Sequence, residues 1–441
     1  MAKLSLLFSL SVCFLILFHA QATQQSQSQR QSQSECRVQN IDALEPTRRF
    51  QSEAGVTEFW DENNEQLSRG MHGAVIPGCP ETYQSTQQSE QQQHFQREHE
   101  QGQQSRYRQG DQHQKVRRVR QGDIVATPAG VAKWVYNDGD TPLVMVSLLD
   151  TSNNENQLDN SRRSFYLGGN PQQQRQSQQG RSSHKGESLA NNIFNGFDDQ
   201  MLAEAFGVNR DIARRLKGQN DNRGNIVRVE NGLQVIRPPR MDEEEEQEYQ
   251  QERPNGIEES LCNVRLRLNI DNPSKSDVYN PNAGRINRIN SRNLPILRLL
   301  NLNAEKGVLN RNSLKAPHWQ VNAHSVMYVT RGDARVQIVG NYQQPIYDGQ
   351  LRRGQLLVVP QNFAVVKKAG DNGFEWISFK TNDNAMTSPL AGRNSAIRAM
   401  PQEVLMNAFR ISSEEARRLK YNREEMEIFS PRSESQGRDT A

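Results

Sequence analysis

Arg120-Gln121-Gly122-Asp123-Ile124-Val125-Ala126-Thr127-Pro128 returns, 232 residues later, as Arg352-Arg353-Gly354-Gln355-Leu356-Leu357-Val358-Val359-Pro360. In both copies a glycine turn opens an apolar run of strand length and a proline closes it. Self-similarity of this kind means that one architecture is present twice. Each copy runs on into a strand-like segment, Leu143 to Leu149 and Phe374 to Phe379, with Asn137-Asp138-Gly139-Asp140 and Gly370-Asp371-Asn372-Gly373 as turn chemistry ahead of them. A helical repeat follows, in which Leu202 to Lys217 matches Leu405 to Lys420 at an offset of 203 and Phe206 answers Phe409. Ser412-Ser413-Glu414-Glu415 spells a capping box, and Gly218 supplies a stop for the first copy. The pattern predicts an all-β fold of two jelly-roll barrels, each followed by a small helical extension.

The two copies are unequal. Asn40-Ile41-Asp42 and Ala54-Gly55 align with Asn269-Ile270-Asp271 and Ala283-Gly284 at an offset of 229, yet Arg69-Gly70 aligns with Arg331-Gly332 at 262. The first copy is therefore 33 residues short. In the second, that interval holds Leu297 to Leu302 and Ser325 to Thr330, both strand-like, and the link Pro317-His318-Trp319; in the first, Gln66-Leu67 runs almost directly into Arg69-Gly70. An N-terminal barrel incomplete near residues 67–70 is expected to be poorly stable, with open strand edges and an uncovered apolar face unless another chain fills the gap.

A chain of 441 residues with 34% hydrophobic and 24% charged residues and a mean hydropathy of −0.87 has room for two or three domains and is no lone module. Its net charge of +3 gives no bulk electrostatic case for a nucleic-acid partner, and the basic residues of the helical repeat read as a solvated face. The charge is split, however. Residues 256–441 hold 26 basic against 18 acidic side chains, and residues 23–255 hold 27 against 33. Between Gln84 and Gln114, 13 of 31 residues are Gln, and a shorter Gln/Ser/Arg stretch spans Gln172 to Arg181. Both read as solvated insertions, and Met241 to Pro254, with four consecutive glutamates at 243–246, reads as a disordered linker.

One apolar run, Leu4 to Ala20, follows Lys3 and precedes small residues at the cleavage positions. It reads as a secretory signal peptide removed between Ala22 and Thr23, leaving a mature chain with no membrane span in an oxidising compartment. Cys13 leaves with it. Cys36, Cys79 and Cys262 remain as possible disulfide partners, an odd number.

Gly122-Asp123, Pro128 and Gly130 resemble the second conserved motif of the cupin superfamily. More specifically, the chain is similar to the legumin-type (11S) seed storage globulins through Cys36-Arg37-Val38-Gln39-Asn40, Ala43-Leu44-Glu45-Pro46, Glu53-Ala54-Gly55, Pro77-Gly78-Cys79-Pro80-Glu81-Thr82, and Asn255-Gly256-Ile257-Glu258-Glu259 ahead of Cys262. The resemblance implies a cupin at 36–218 in an acidic chain with the Gln-rich insert 84–114, a linker at 219–255, a second cupin at 256–425 in a basic chain, and a tail at 426–441. It implies a cut between Asn255 and Gly256 by a vacuolar asparaginyl endopeptidase and a Cys79–Cys262 disulfide that keeps the two chains joined. Cys36 is left over, because its usual partner belongs to the missing interval. The family assembles with itself or with other 11S subunits, as trimers and, after the cut, hexamers in the seed's protein storage vacuole. Food allergenicity is in keeping with the likeness.

Enzymatic cupins hold a metal with a His-x-His pair, a carboxylate and a late His. Here His318 is followed by Trp319 and Gln320, the late position is Val365, and its first-barrel equivalent is Lys133. His318 and His324 could at most hold a metal weakly. The sequence shows no Gly-x-Ser-x-Gly elbow, phosphate-binding Gly loop or His-Glu-x-x-His helix. The expectation is a non-enzymatic storage protein without cofactor, whose Gln, Asn and Arg nitrogen is the payload. The alternative is a metal-dependent cupin oxidase or dioxygenase of the secretory pathway.

Overall fold

The computed structural model describes residues 41–46, 48–59, 70–76, 115–150, 166–168, 192–218, 221, 223–230, 232–233, 264–340 and 344–431. The chain divides into Met1–Ile41 and Asp42–Ala441, and all that follows concerns the second unit. Ala22, Thr23, Cys36, Cys79, Asn255, Gly256 and Cys262 lie outside the described residues, as do the Leu67 to Arg69 junction, the two Gln-rich tracts and the acidic linker.

The first half supplies β1 (Arg48–Ser52), β2 (Gly55–Phe59), β3 (Gly70–Val75), β4 (Lys115–Val119), β5 (Asp123–Val125), β6 (Ala132–Tyr136), α1 (Asp199–Phe206) and α2 (Arg210–Leu216). The second half opens with β7 (Arg267–Asn269), β8 (Val278–Asn280), β9 (Gly284–Ile289), α3 (Leu297–Leu300), β10 (Asn303–Leu309), β11 (Leu314–Gln320) and β12 (Ser325–Val339). It continues with β13 (Tyr347–Arg352), β14 (Leu356–Val359), β15 (Ala364–Lys380), β16 (Thr387–Pro389), α4 (Ala396–Ala399), α5 (Gln402–Phe409), α6 (Ser413–Tyr421) and β17 (Ile428–Phe429).

In the second half the described strands form one antiparallel sheet, ordered β13-β12-β15-β10-β9-β8, with β11 on β15, β14 on β12, and β16 and β17 on β11. The long strands β12 and β15 curl where their register shifts, at Gly332 and Gly373. Both glycines have positive φ, and a Cβ on Gly332 would lie 2.0 Å from the Gly373 carbonyl oxygen. The turn expected at Gly370 to Gly373 is thus a bend inside one continuous strand: glycine relieves the backbone there without ending the pairing.

The offsets map the first half onto this sheet: β1 onto β8, β2 onto β9, β3 onto the end of β12, β4 onto β13, β5 onto β14 and β6 onto the start of β15. Among the described residues β10, β11 and the start of β12 have no counterpart. Three local departures follow. Phe374 to Lys380 is flanked by β10 on one side and by Ser325 to Val329 on the other. Its equivalent, Leu143 to Leu149, has neither neighbouring strand among the described residues and adopts no strand, contrary to the sequence expectation. Whereas β9 is paired on both sides, β2 pairs with β1 alone among the described residues. And whereas β14 pairs with the start of β12, β5 pairs with β7 from the other half. A second correction concerns Leu297 to Leu302. Its leucines, not branched at Cβ, follow Pro295 and wind into a helical turn ended by Asn301 at φ 50°, a case of an apolar run whose length does not separate strand from helix.

The halves exchange their leading segments. The pairs Asp123–Asn269, Ile124–Leu268 and Val125–Arg267 join β5 to β7, reinforced by a 2.9 Å ion pair from Arg267 to the nearly buried Asp123 carboxylate. In return Leu44 exchanges two backbone hydrogen bonds, 2.7 and 3.0 Å, with Leu356 of β14. A single apolar cluster includes Ala74, Ile76 and Ala126 of the first half, Leu266, Leu268 and Ile270 around β7, and Ala304, Tyr328, Leu356 and Ile377 on the second barrel.

The helix pairs obey their sequence signals. Asp198 caps α1 through the Gln200 and Met201 amides, and Gly207 ends it in the left-handed region. Ser412 and Glu415 complete the capping box of α6. Leu202, Ala203 and Ala213 are buried in one pair, Leu405 and Ala416 in the other, while Phe206 and Phe409 stand half-exposed at matching places.

Because β7 belongs to both cores, Leu268→Ala should lower stability by about 2–4 kcal/mol. Urea unfolding should move as one transition; separate transitions for the two halves would contradict the shared core.

Candidate functional site

The inward face of the second barrel is where cupin chemistry would reside, and strand periodicity sets its lining. Asn303, Glu305, Gly307 and Leu309 alternate on one face of β10, while Ala304 on the other joins the apolar cluster. Gly307 faces Trp376 across the ladder, and a Cβ there would lie 2.1 Å from the indole ring, so the tryptophan fills the barrel only because this position is glycine. Phe374 stacks on the same ring at a centroid distance of 5.2 Å.

Around this aromatic plug lies an ion cluster. The Glu305 carboxylate meets Arg288 at 3.0 Å, Lys315 at 3.2 Å and Lys380 at 2.9 Å. Glu427 reaches Arg288 at 2.6 Å and Lys315 at 3.8 Å. Burial pushes the Glu305 carboxyl up, but Lys315, Lys380 and Arg288 outweigh it and leave the group well below its ordinary value. Burial likewise pushes Lys380 down, partly offset by Glu305. Charges removed from water persist only when matched this closely.

His318 is buried, with Nδ1 donating to the Ala316 carbonyl at 2.7 Å. Burial, then the nearby Lys315 and Lys367 ammonium groups, hold its pKa well below the usual imidazole value. Directly across the ladder, the late metal-ligand position is Val365. Gln320 stands two residues beyond His318 and accepts from Thr387. His324 is exposed, its Nδ1 accepting from the Gln361 amide at 3.1 Å. No group of three or more His, Cys, Asp or Glu is placed to hold a metal among the described residues. The donors that are present do not fit one: an imidazole hemmed by two ammonium groups, an amide and a valine offer a cation neither charge nor a shared focus.

In the first half Lys133 occupies the late ligand position and is exposed, whereas its equivalent Val365 is buried. His72, on β3, is buried with Nε2 unpartnered, and burial together with Lys133 lowers its pKa to about 4.

A family model described as Cupin matches residues 69–173 and 268–417, the two halves just described. An 11S globulin seed storage protein from Carya illinoinensis is 46% identical, covering 99% of this chain and 98% of its own length. The chain belongs to the 11S seed storage globulins, within the cupin family. An 11S globulin seed storage protein from Anacardium occidentale is also 46% identical, over 98% of this chain and all of its own length. The crystal structure of the coconut allergen cocosin aligns with a TM-score of 0.74 at 41% identity, over 90% of this chain and all of the other. The sequence alignments run to 507 and 476 positions against 441 residues, so both relatives carry residues that this 11S globulin lacks. Its role is storage of amino acids in the seed, and it is not an enzyme; these relatives support the storage reading and not the metal-dependent alternative.

The sequence reading missed the ion cluster and singled out none of Glu305, Lys315, Lys367 and Lys380. Their one signal is that each lies on a strand next to at least one apolar residue, Ala304, Leu314, Val366 and Phe379.

Glu305→Gln should cost about 3–5 kcal/mol, because it strands buried cations, measurable by chemical denaturation. His72 predicts an acid slope. Its folded pKa of about 4 lies below the ordinary imidazole value of 6.5, so the unfolded chain binds the proton first. Stability is present above 6.5 and falls by roughly 3 kcal/mol towards pH 4. His72→Gln should flatten Tm against pH across that window, and an unchanged slope would refute this assignment.

Proposed function

We propose that this 11S globulin is stored as a processed, two-chain subunit. The precursor loses residues 1–22 between Ala22 and Thr23 on entering the secretory pathway, and a vacuolar asparaginyl endopeptidase cuts between Asn255 and Gly256. An acidic chain and a basic chain result, joined by Cys79–Cys262, with Cys36 available to a thiol of another chain. Subunits associate with themselves or other 11S subunits, first as trimers and then as hexamers, in the protein storage vacuole.

The observation that carries this reading is the exchange of leading segments. A cut at Asn255 leaves β7 in the basic chain, yet β7 is hydrogen-bonded to β5 of the acidic chain and packed in the shared apolar cluster. Cleavage is therefore compatible with a folded particle. Acidic residues concentrate before the cut and basic residues after it, which makes the fragments separable by charge. The exposed Phe206 and Phe409, at equivalent places on the two helix pairs, support head-to-tail contacts in which one subunit's first pair meets the next subunit's second, a geometry that closes into a ring.

Seed protein should run on a denaturing gel as one band without reductant and as an acidic and a basic chain with it. Asn255→Gln should abolish the split. Reductant without denaturant should leave the particle intact, because β5–β7 pairing and the common cluster remain. Dissociation under those conditions would show that the disulfide alone holds the chains.

A further inference from the structure

Inside the second barrel the ion cluster does not close on itself. Glu305 and Glu427 contact Arg288, Lys315 and Lys380, whereas Lys367, only 4% exposed, makes no ion pair or hydrogen bond among the described residues and feels the Glu305 carboxylate only from beyond contact distance. Its Nζ lies 4.4 Å from the centroid of the Trp376 ring. Trp376 is fully buried, and its Nε1–H has no partner. Ser313 is fully buried too, its Oγ unpartnered, and its carbonyl accepts from Ala369 two residues beyond Lys367 on β15. Lys315 and Lys367 are themselves paired across the ladder, next to this position. Lys367 thus stands over the Trp376 ring with Ser313 at the neighbouring ladder position, and the ammonium, the indole N–H and the hydroxyl, all able to donate, have no protein acceptor among the described residues. Buried donors in folded proteins are nearly always answered.

We propose that the second barrel holds one small monovalent inorganic anion, of the chloride or bromide class, between Lys367, Trp376 and Ser313. Four basic side chains against two carboxylates leave a positive excess that a single negative charge reduces. A monatomic anion accepts from donors in any direction, which suits three groups fixed on different strands. A dianion would need more donors than these to replace its hydration. Burial, with Lys315 beside it, pushes the Lys367 amine well below the ordinary lysine value, and a bound anion counters that by stabilising the ammonium form.

The full chain should be melted in sodium fluoride, chloride and bromide at matched ionic strength. Site binding predicts a saturable rise of a few degrees in chloride and bromide over fluoride, reversing the order that surface exclusion alone produces. Broadening of the chloride NMR line by the protein should accompany it. Lys367→Met should remove both effects, and Ser313→Ala and Trp376→Phe should each weaken the apparent affinity severalfold. If Lys367→Met fails to fold, the Ser313→Ala comparison decides. A Tm that is highest in fluoride and responds alike in wild type and variants, with no line broadening, would overturn the proposal.

Discussion

A β-strand inside a curled sheet must find hydrogen-bond partners on both flanks, and this requirement governs how the two halves of the molecule differ. In the second half it is met along most of the long strands: Phe374 to Lys380 has β10 on one side and the start of β12 on the other. In the first half the same sequence register reaches Leu143 to Leu149 with neither neighbouring strand among the described residues, and an apolar segment of ordinary strand composition stays irregular. Propensity is outvoted by the absence of a ladder. The same shortage leaves β5 to be completed by β7, so the half that lacks strands leans on the half that has them.

The interior of the second barrel is filled by matched charges and stacked aromatic rings. A catalytic site needs converging neutral or anionic donors and an open coordination position. Here the inward slots carry lysines, an arginine and two glutamates packed against Trp376 and Phe374. The arrangement closes the lumen and fixes strand positions through charge matching. Such a cluster is expensive to assemble from an unfolded chain and stays in register once formed.

Much of this was legible beforehand because the repeat is strong. Gly122 to Pro128 against Gly354 to Pro360 gave the duplicated β architecture, and the Ser412–Glu415 box located a helix start to the residue. The interval missing near Arg69 was visible as an offset change. The consequences for Leu143 to Leu149 were not, since they depend on which strands are neighbours in space. Leu297 to Leu300 was misread because leucine suits either structure and only the preceding proline and the Asn301 cap tip it. The charged lumen stayed hidden for a related reason. A strand with Glu305 and Lys306 in succession reads as amphipathic, and its inward face is identified only once β15 lies beside it.

The sealed lumen also bears on shelf life. A dry seed holds protein and reducing sugars together for long periods, and lysine amines are what carbonyl compounds attack. Lys315, Lys367 and Lys380 are between 1% and 4% exposed, and each must leave the barrel before its amine can meet a sugar. For those three residues, folding acts as a preservative that lapses only when the barrel is opened.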